Sequence, residues 1–167
     1  KGVKGAIAEV GVYKGNTAKL ICATKRDREL FLFDTFEGMP SSKITTSDDW
    51  EKGTHTDTSL QSVKNYLSEY QGVTFVPGEF PESEEDHLEL GLESMQFSFV
   101  YLDVDLYQST LDALRYFYPK LADGGRLVSE TPIINLWFRL RRRLRQPITL
   151  LIRPIQRLRV HNLILGQ

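Results

Sequence analysis

The sequence predicts an α/β fold, with a Rossmann-like, mostly parallel sheet, helices on both of its faces and an atypical or incomplete C-terminal part. Three observations lead to this prediction. Short apolar runs rich in β-branched and aromatic residues alternate with stretches of helical periodicity along the first 130 residues. Several of these runs end in an acidic residue or a glycine, as strands do where a sheet edge binds a ligand. One of them, residues 97–110, ends in two carboxylates and passes directly into a helical pattern.

Charge divides the chain into two parts. Residues 1–130 hold 13 basic and 22 acidic residues, a net charge of −9, whereas residues 131–167 hold eight arginines and no acid, a net charge of +8. We therefore predict a domain in residues 1–130 and a separate basic, Leu/Ile/Arg-rich tail in residues 131–167. A length of 167 residues is sufficient for one stable domain.

The remaining bulk features exclude some classes of protein. A single cysteine, Cys22, excludes an internal disulfide framework and a cysteine-based zinc site, and its apolar neighbours predict a buried thiol. The sequence has no apolar run of 18 residues and no signal-peptide pattern, so the default expectation is a cytoplasmic protein.

The first strand is predicted at residues 5–12, followed by a turn and a helix that runs to about Thr24. Glu9, Gly11 and Gly15 form the motif at this junction. Glycines let the backbone approach a ligand closely and leave the N–H groups at the helix start free, and the acid favours a cationic or hydroxyl-rich ligand. The spacing matches neither a phosphate-binding loop nor a Gly-x-Gly-x-x-Gly dinucleotide loop, and glycine-rich turns of this kind are common.

The second strand is predicted from Leu30 to Phe33 and ends at Asp34. An acid at this position suits the two hydroxyls of a ribose as a bidentate acceptor, whereas the alternative is a cap for a following helix. Residues 41–59 form a long polar loop of the kind used as lids. Trp50 and His55 are candidate substrate contacts, although an incidental histidine in a solvated loop is the more common case.

The next elements are a helix over residues 60–70, a third strand over residues 73–76 that leads to Gly78 and Glu79, and an exposed acidic helix over residues 82–93. The fourth strand begins at Phe97 and delivers Asp103 and Asp105. The pattern is completed by a helix over 109–121, a turn over 122–125 and a fifth strand over 126–129. This fifth strand leads to Glu130.

Asp103 and Asp105 have two interpretations. In one, an aspartate caps the following helix and the other is solvated. In the other, both belong to a site together with the groups at the remaining strand ends: Glu9, Asp34, Gly78 and Glu130. Because carboxyl ends of parallel strands share one edge, the coincidence of five such ends favours the site.

The chain resembles the macrocin O-methyltransferase family within the class I S-adenosylmethionine-dependent methyltransferases. Four segments, over about residues 5–128, carry the resemblance: AEVGVYKG at 8–15, FDTFEGMP at 33–40, FVPGEF at 75–80 and VYLDVDLY at 100–107. The resemblance implies a Rossmann-like fold, S-adenosyl-L-methionine as methyl donor, Mg²⁺ dependence and an acceptor hydroxyl on a sugar or glycoside.

The family pattern also implies roles for individual residues. Glu9, Gly11 and Gly15 would line the methionine and ribose part of the cofactor, Asp34 would accept the ribose hydroxyls, and Gly78 and Glu79 would lie by the adenine. Asp103 matches a metal-ligating aspartate, and Asp105 a proposed general base. The resemblance therefore implies different roles for these two acids.

The sequence departs from the family after Gly125. The family has a second acid directly after the position of Glu130, where this chain has Thr131, so that only Glu130 is available as a further metal ligand. The tail that follows has three interpretations. The first is a helix that binds a membrane surface or nucleic acid, and the second is a divergent last element packed on the sheet. The third is a sequence that is truncated or out of register with the family. We favour the last interpretation, under which a catalytically impaired fold is the alternative function. Nucleic acid is not an expected partner, membrane-surface contact by the tail stays open, and so does a homo-oligomer.

Overall fold

A computed structural model of the chain describes residues 2–40, 42, 54–85, 87–130 and 151–152. Its strands are β1 (Ala6–Val10), β2 (Leu30–Asp34), β3 (Val73–Pro77), β4 (Phe97–Leu102), β5 (Leu121–Ser129) and β6 (Leu151–Ile152). Its α-helices are α1 (Asn16–Thr24), α2 (Leu60–Tyr66), α3 (Glu82–Glu85) and α4 (Tyr107–Phe117), and three short 3₁₀ segments cover Leu88–Leu90, Leu92–Ser94 and Tyr118–Lys120.

The strands form one sheet in the order β3-β2-β1-β4-β5-β6, and every described pairing is parallel. The chain moves outward from β1 through β2 to β3 and then returns to the other side of β1 with β4. The strand order therefore reverses between β1 and β4, and this switch point is where open α/β sheets bind their ligands. The predicted Rossmann-like fold class is confirmed.

Each face of the sheet has its own apolar core. Leu111, Leu114 and Phe117 of α4 pack on one face against strand residues such as Val100. On the other face, helices α1 and α2 cover the sheet with residues that include Ala18, Cys22, Val63 and Leu67. Cys22 is buried, as predicted. Because both faces are covered, the central strands are apolar throughout, and their polar groups are concentrated at the strand ends.

Two predicted elements are wrong. The acidic run 82–93 is not one exposed helix: Gly91, at φ 63°, separates two 3₁₀ segments, and Leu92 is buried in the core. The predicted turn at residues 122–125 lies inside β5, which pairs with β4 through a register shift between Phe97 and Phe99. Glycines permit the bulge that absorbs the extra residues.

The predicted basic tail lies outside the described residues except for the backbone of Leu151–Ile152. These two residues pair in parallel with Val128 and Ser129 at the sheet edge. Residues 41 and 43–53 of the predicted loop 41–59, including Trp50, also lie outside the described residues. None of the helices that the structure describes has the length and apolar character needed to cross a bilayer.

Candidate active site at the strand ends

A cavity of about 290 Å³ lies at the carboxyl ends of the first four strands. This volume is at the lower end of the range for small-molecule sites, roughly 300–1,000 Å³. Seven of the nine residues that the sequence singled out line the cavity: Glu9, Gly11, Asp34, Gly78, Glu79, Asp103 and Asp105. The fold therefore brings together groups that lie as many as 96 positions apart, at the carboxyl ends of four different strands.

Glu9 is almost fully buried, with 1% of its surface exposed, near the end of β1. Its Oε2 atom has no hydrogen-bond partner among the described residues. Burial raises the pKa of Glu9 well above its ordinary value, and the neighbouring carboxylates of Asp103 and Asp34 raise it further. A buried carboxyl oxygen without a partner is unfavourable, so this position suits a cationic or hydrogen-donating ligand.

Gly11 brings the tips of β1 and β4 into contact. Its φ is 86°, and an added Cβ would lie 2.1 Å from the carbonyl oxygen of Asp103. The Asp103 N–H also donates to the carbonyl of Val10 at 2.9 Å. A side chain at residue 11 would therefore displace the backbone that positions Asp103.

Gly15 and Glu130 are not among the lining residues of this cavity. Gly15 faces α2, where an added Cβ would lie 2.9 Å from Cγ1 of Val63. Its φ of 82° and this close packing account for a glycine at the start of α1 without any ligand. Glu130 follows β5 beside the cavity, close enough for its charge to act on Asp103.

The Asp34 carboxylate is already engaged by backbone N–H groups. Its Oδ2 accepts from Val12 at 2.6 Å and Tyr13 at 2.9 Å, and its Oδ1 accepts from Phe36 at 2.6 Å. The Thr35 hydroxyl gives its one hydrogen to the Gly38 carbonyl at 2.6 Å, which leaves a single accepting position on Oδ1. One oxygen of Asp34 therefore has room for a ribose hydroxyl, and the pairing with two hydroxyls stays a prediction. Within residues 35–40, as the structure describes them, no helix follows Asp34 for its carboxylate to cap.

Asp103 and Asp105 both line the cavity. β4 ends at Leu102 and Asp105 takes a φ of 59°, so both acids lie beyond the strand, in the turn that leads to α4. The helix-cap interpretation fails, since the N-cap of α4 is Leu106 and no side chain caps it.

The carboxylates at this end of the cavity repel one another. Burial raises the pKa of Asp103 to about 6, and the charges of Asp105 and Glu130 contribute to that rise. Burial and a hydrogen bond to Glu130 also raise the pKa of Tyr101. Carboxylate oxygens are the donors that Mg²⁺ prefers, and one or two of them, with waters, are a usual set. Among the described residues, no three His, Cys, Asp or Glu side chains converge on one metal position.

Sequence reasoning missed the polar residues that surround the first turn. Tyr13, Lys14, Asn16 and Thr17 all line the cavity. Their position beside the glycine motif is the sequence feature that could have identified them as cavity residues. His55, for which two interpretations were open, also lines the cavity, which favours a role in the site.

Segment 54–59 closes over this turn. The Asp57 carboxylate accepts from the Tyr13 hydroxyl and from Lys14 Nζ, both at 2.5 Å, and the Thr58 hydroxyl donates to the Tyr13 carbonyl at 2.6 Å. The bonds from Lys14 and Tyr13 lower the pKa of Asp57 to about 2. One side of the cavity is therefore a loop fastened to the first turn by short polar contacts.

The fold and the cavity together define a Rossmann-like α/β domain whose candidate ligand site lies at the switch point of a parallel sheet. The family model described as Macrocin-O-methyltransferase (TylF) matches residues 1–145. The chain therefore belongs to the macrocin O-methyltransferase family.

Curated relatives agree with this assignment. The chain is 30% identical over 149 residues to a tetracenomycin-rhamnosyl 4'-O-methyltransferase of Streptomyces olivaceus, covering 80% of this chain and 55% of that protein. It is 31% identical over 146 residues to the mycinamicin III 3''-O-methyltransferase of Micromonospora griseorubida, covering 74% of this chain and 54% of that protein. The chain thus spans about half the length of the curated relatives it matches.

Solved structures support the fold. The O-methyltransferase NovP superposes with a TM-score of 0.63 at 24% identity, over 84% of this chain and 64% of NovP. The calicheamicin methyltransferase CalS11 superposes with a TM-score of 0.58 at 24% identity, over 75% of this chain and 56% of CalS11.

Proposed function

We propose that this protein transfers a methyl group from S-adenosyl-L-methionine to a hydroxyl of a sugar or glycosylated small metabolite, with assistance from Mg²⁺. The observation that carries the proposal is the cavity at the switch point, where Glu9, Asp34, Asp103 and Asp105 converge in a chain of the macrocin O-methyltransferase family. Relatives named for rhamnosyl tetracenomycin and mycinamicin substrates support a sugar-bearing acceptor.

S-adenosyl-L-methionine, when bound, supplies a methyl group on a positively charged sulfur. Glu9, whose buried oxygen has no partner, suits the cationic amino acid part of this ligand. Asp34 accepts one ribose hydroxyl while it holds the Val12–Tyr13 turn. Gly78 and Glu79, at the end of β3, border the adenine end.

Asp103 and Glu130 would hold Mg²⁺, because their charges already act on each other and hard oxygen donors fit this ion. Mg²⁺, when bound, would polarise the acceptor hydroxyl. Asp105 would take the hydroxyl proton as the acceptor oxygen receives the methyl group, and the electron pair of the broken S–C bond would stay on the sulfur of the donor. Because the sequence places only two carboxylates for the ion, water and substrate would supply the other ligands.

A catalytically impaired fold is the second candidate. It is favoured by Thr131, which stands where the family has an acid, and by the lack of a three-ligand metal group among the residues described. In that case the chain would bind cofactor without turnover, and the basic tail would serve an interaction with a membrane surface or a protein. The tail itself lies outside the described residues.

Calorimetry and methyl transfer separate these proposals. We expect S-adenosylhomocysteine to bind, and labelled methyl groups to pass from S-adenosylmethionine to a rhamnosylated tetracenomycin or to mycinamicin III in the presence of Mg²⁺. Binding without transfer to any glycoside tested would favour the impaired fold. No binding of S-adenosylhomocysteine at millimolar concentration would refute both.

A further inference from the structure

His55 occupies a defined position at the cavity wall although it belongs to a polar loop. The Thr54 carbonyl accepts from the Met39 N–H at 3.0 Å, and the Tyr13 ring meets the His55 ring edge-on with 4.6 Å between centroids. With Asp57 and Thr58 bonded to the first turn as well, the backbone on both sides of His55 is fixed. The imidazole therefore packs against the Tyr13 ring.

The imidazole also lies near Asp105. Nε2 of His55 lies 3.9 Å from Oδ2 of Asp105, and the two side chains keep 34% and 31% of their surface exposed. This distance exceeds a hydrogen bond by about 1 Å. Such gaps are common in ligand-free catalytic sites, where contacts tighten once the substrate is bound and water is displaced.

The backbone supports a functional arrangement. Tyr13, His55 and Asp105 have φ values of 52°, 62° and 59°, in the sparsely populated left-handed region. They are three of the five non-glycine residues with positive φ in the described part of the chain. All three line the cavity, and His55 lies beside both of the others. Strained conformations of this kind concentrate at active sites, where surrounding structure holds them in place.

We propose that His55 is a positioning residue for Asp105. It holds the Asp105 carboxylate in the orientation needed to take a proton from the acceptor hydroxyl, and Tyr13 holds the imidazole. This inference rests on the proposed function, because it assigns to Asp105 the removal of that proton. It adds a group from the 54–59 segment to a site otherwise built from strand ends.

The first test needs neither acceptor nor turnover. Nitrogen NMR of the imidazole rings at one fixed pH compares the parent chain with Asp105→Asn. Signals are assigned with His55→Asn and with His87→Asn, a matched control because His87 contacts Glu89 at 3.4 Å and is absent from the cavity lining. We expect the His55 ring signals to move and those of His87 to stay. Unchanged His55 signals would overturn the proposal whether or not the chain is an enzyme.

The second test measures turnover on the glycoside that the parent chain methylates. His55→Asn should lower kcat about tenfold with little change in the acceptor KM, because Asn tolerates the left-handed backbone but does not reach Asp105. In the Asp105→Asn background the same change should have no further effect. An equal loss in both backgrounds would mean that His55 acts independently of Asp105. His87→Asn should match the parent, and its melting temperature controls for folding.

Discussion

Replacement of Asp34 by asparagine tests whether this residue holds the cofactor turn as well as a ribose hydroxyl. The carboxylate accepts three backbone hydrogen bonds, from Val12, Tyr13 and Phe36. An amide has one oxygen, so at most two of these bonds survive, and the third N–H then faces an NH₂ group. Asp34→Asn therefore perturbs the turn while leaving side-chain volume almost unchanged.

The magnitude follows from the number and type of the bonds. Three bonds to a charged acceptor contribute about 2 kcal/mol each, and two to a neutral oxygen about 1 kcal/mol each. The difference is about 4 kcal/mol, which partial exposure of the site reduces to about 3 kcal/mol in the free energy of unfolding. The exposed Asp27, replaced by asparagine, is the matched control and should change stability by less than about 0.5 kcal/mol.

Urea unfolding measures the stability effect, and calorimetry measures the ligand effect. S-adenosylhomocysteine and its 2′,3′-dideoxy analogue should both bind Asp34→Asn more weakly than the parent, because a loosened turn affects every ligand in the cavity. The analogue separates the turn from the ribose. A loss confined to the ligand with ribose hydroxyls, with unfolding unchanged, would refute the holding role.

Three further predictions concern the junction of β1 and β4. Gly11→Ala should lower the free energy of unfolding by about 3 kcal/mol in urea melts, since the new Cβ would overlap the Asp103 carbonyl. Gly91→Ala is the control for backbone strain alone, because Gly91 has a φ of 63° and open space around it. This control should lose about 1 kcal/mol. Asp103 has a pKa of about 6 in the folded chain and about 3.9 in the unfolded chain, so folding favours its protonated form. The ionised carboxylate therefore lowers the free energy of unfolding progressively as the pH rises from about 3.9 to about 6. Thermal melts without Mg²⁺ should show Asp103→Asn more stable than the parent by about 1 kcal/mol at pH 7, after allowance for partial exposure. At pH 3 the two proteins should be equally stable. Equal stability of variant and parent at both pH values would contradict this prediction. Asp105→Asn should keep S-adenosylhomocysteine affinity within about twofold while methyl transfer falls at least about a hundredfold, and full turnover would remove Asp105 from the mechanism.

The sequence by itself determined the order of elements and the groups at their ends. Apolar runs such as residues 30–33 and 97–102 are too short and too rich in aromatic and β-branched residues for helices, so their strand state is set locally. The acids that follow them were predictable as edge groups, because parallel strands must place their carboxyl ends together. Family membership could likewise be inferred from four short segments.

Tertiary structure decided what each of these groups does. Backbone donors from another loop occupy Asp34, and Asp103 and Asp105 share one cavity. Both features depend on contacts between segments that are distant in the chain. The position of His55 next to Asp105 depends on a loop 50 residues away that bonds to the first turn. Local sequence patterns do not predict such contacts, because their free energy arises only when separate elements meet on the folded sheet.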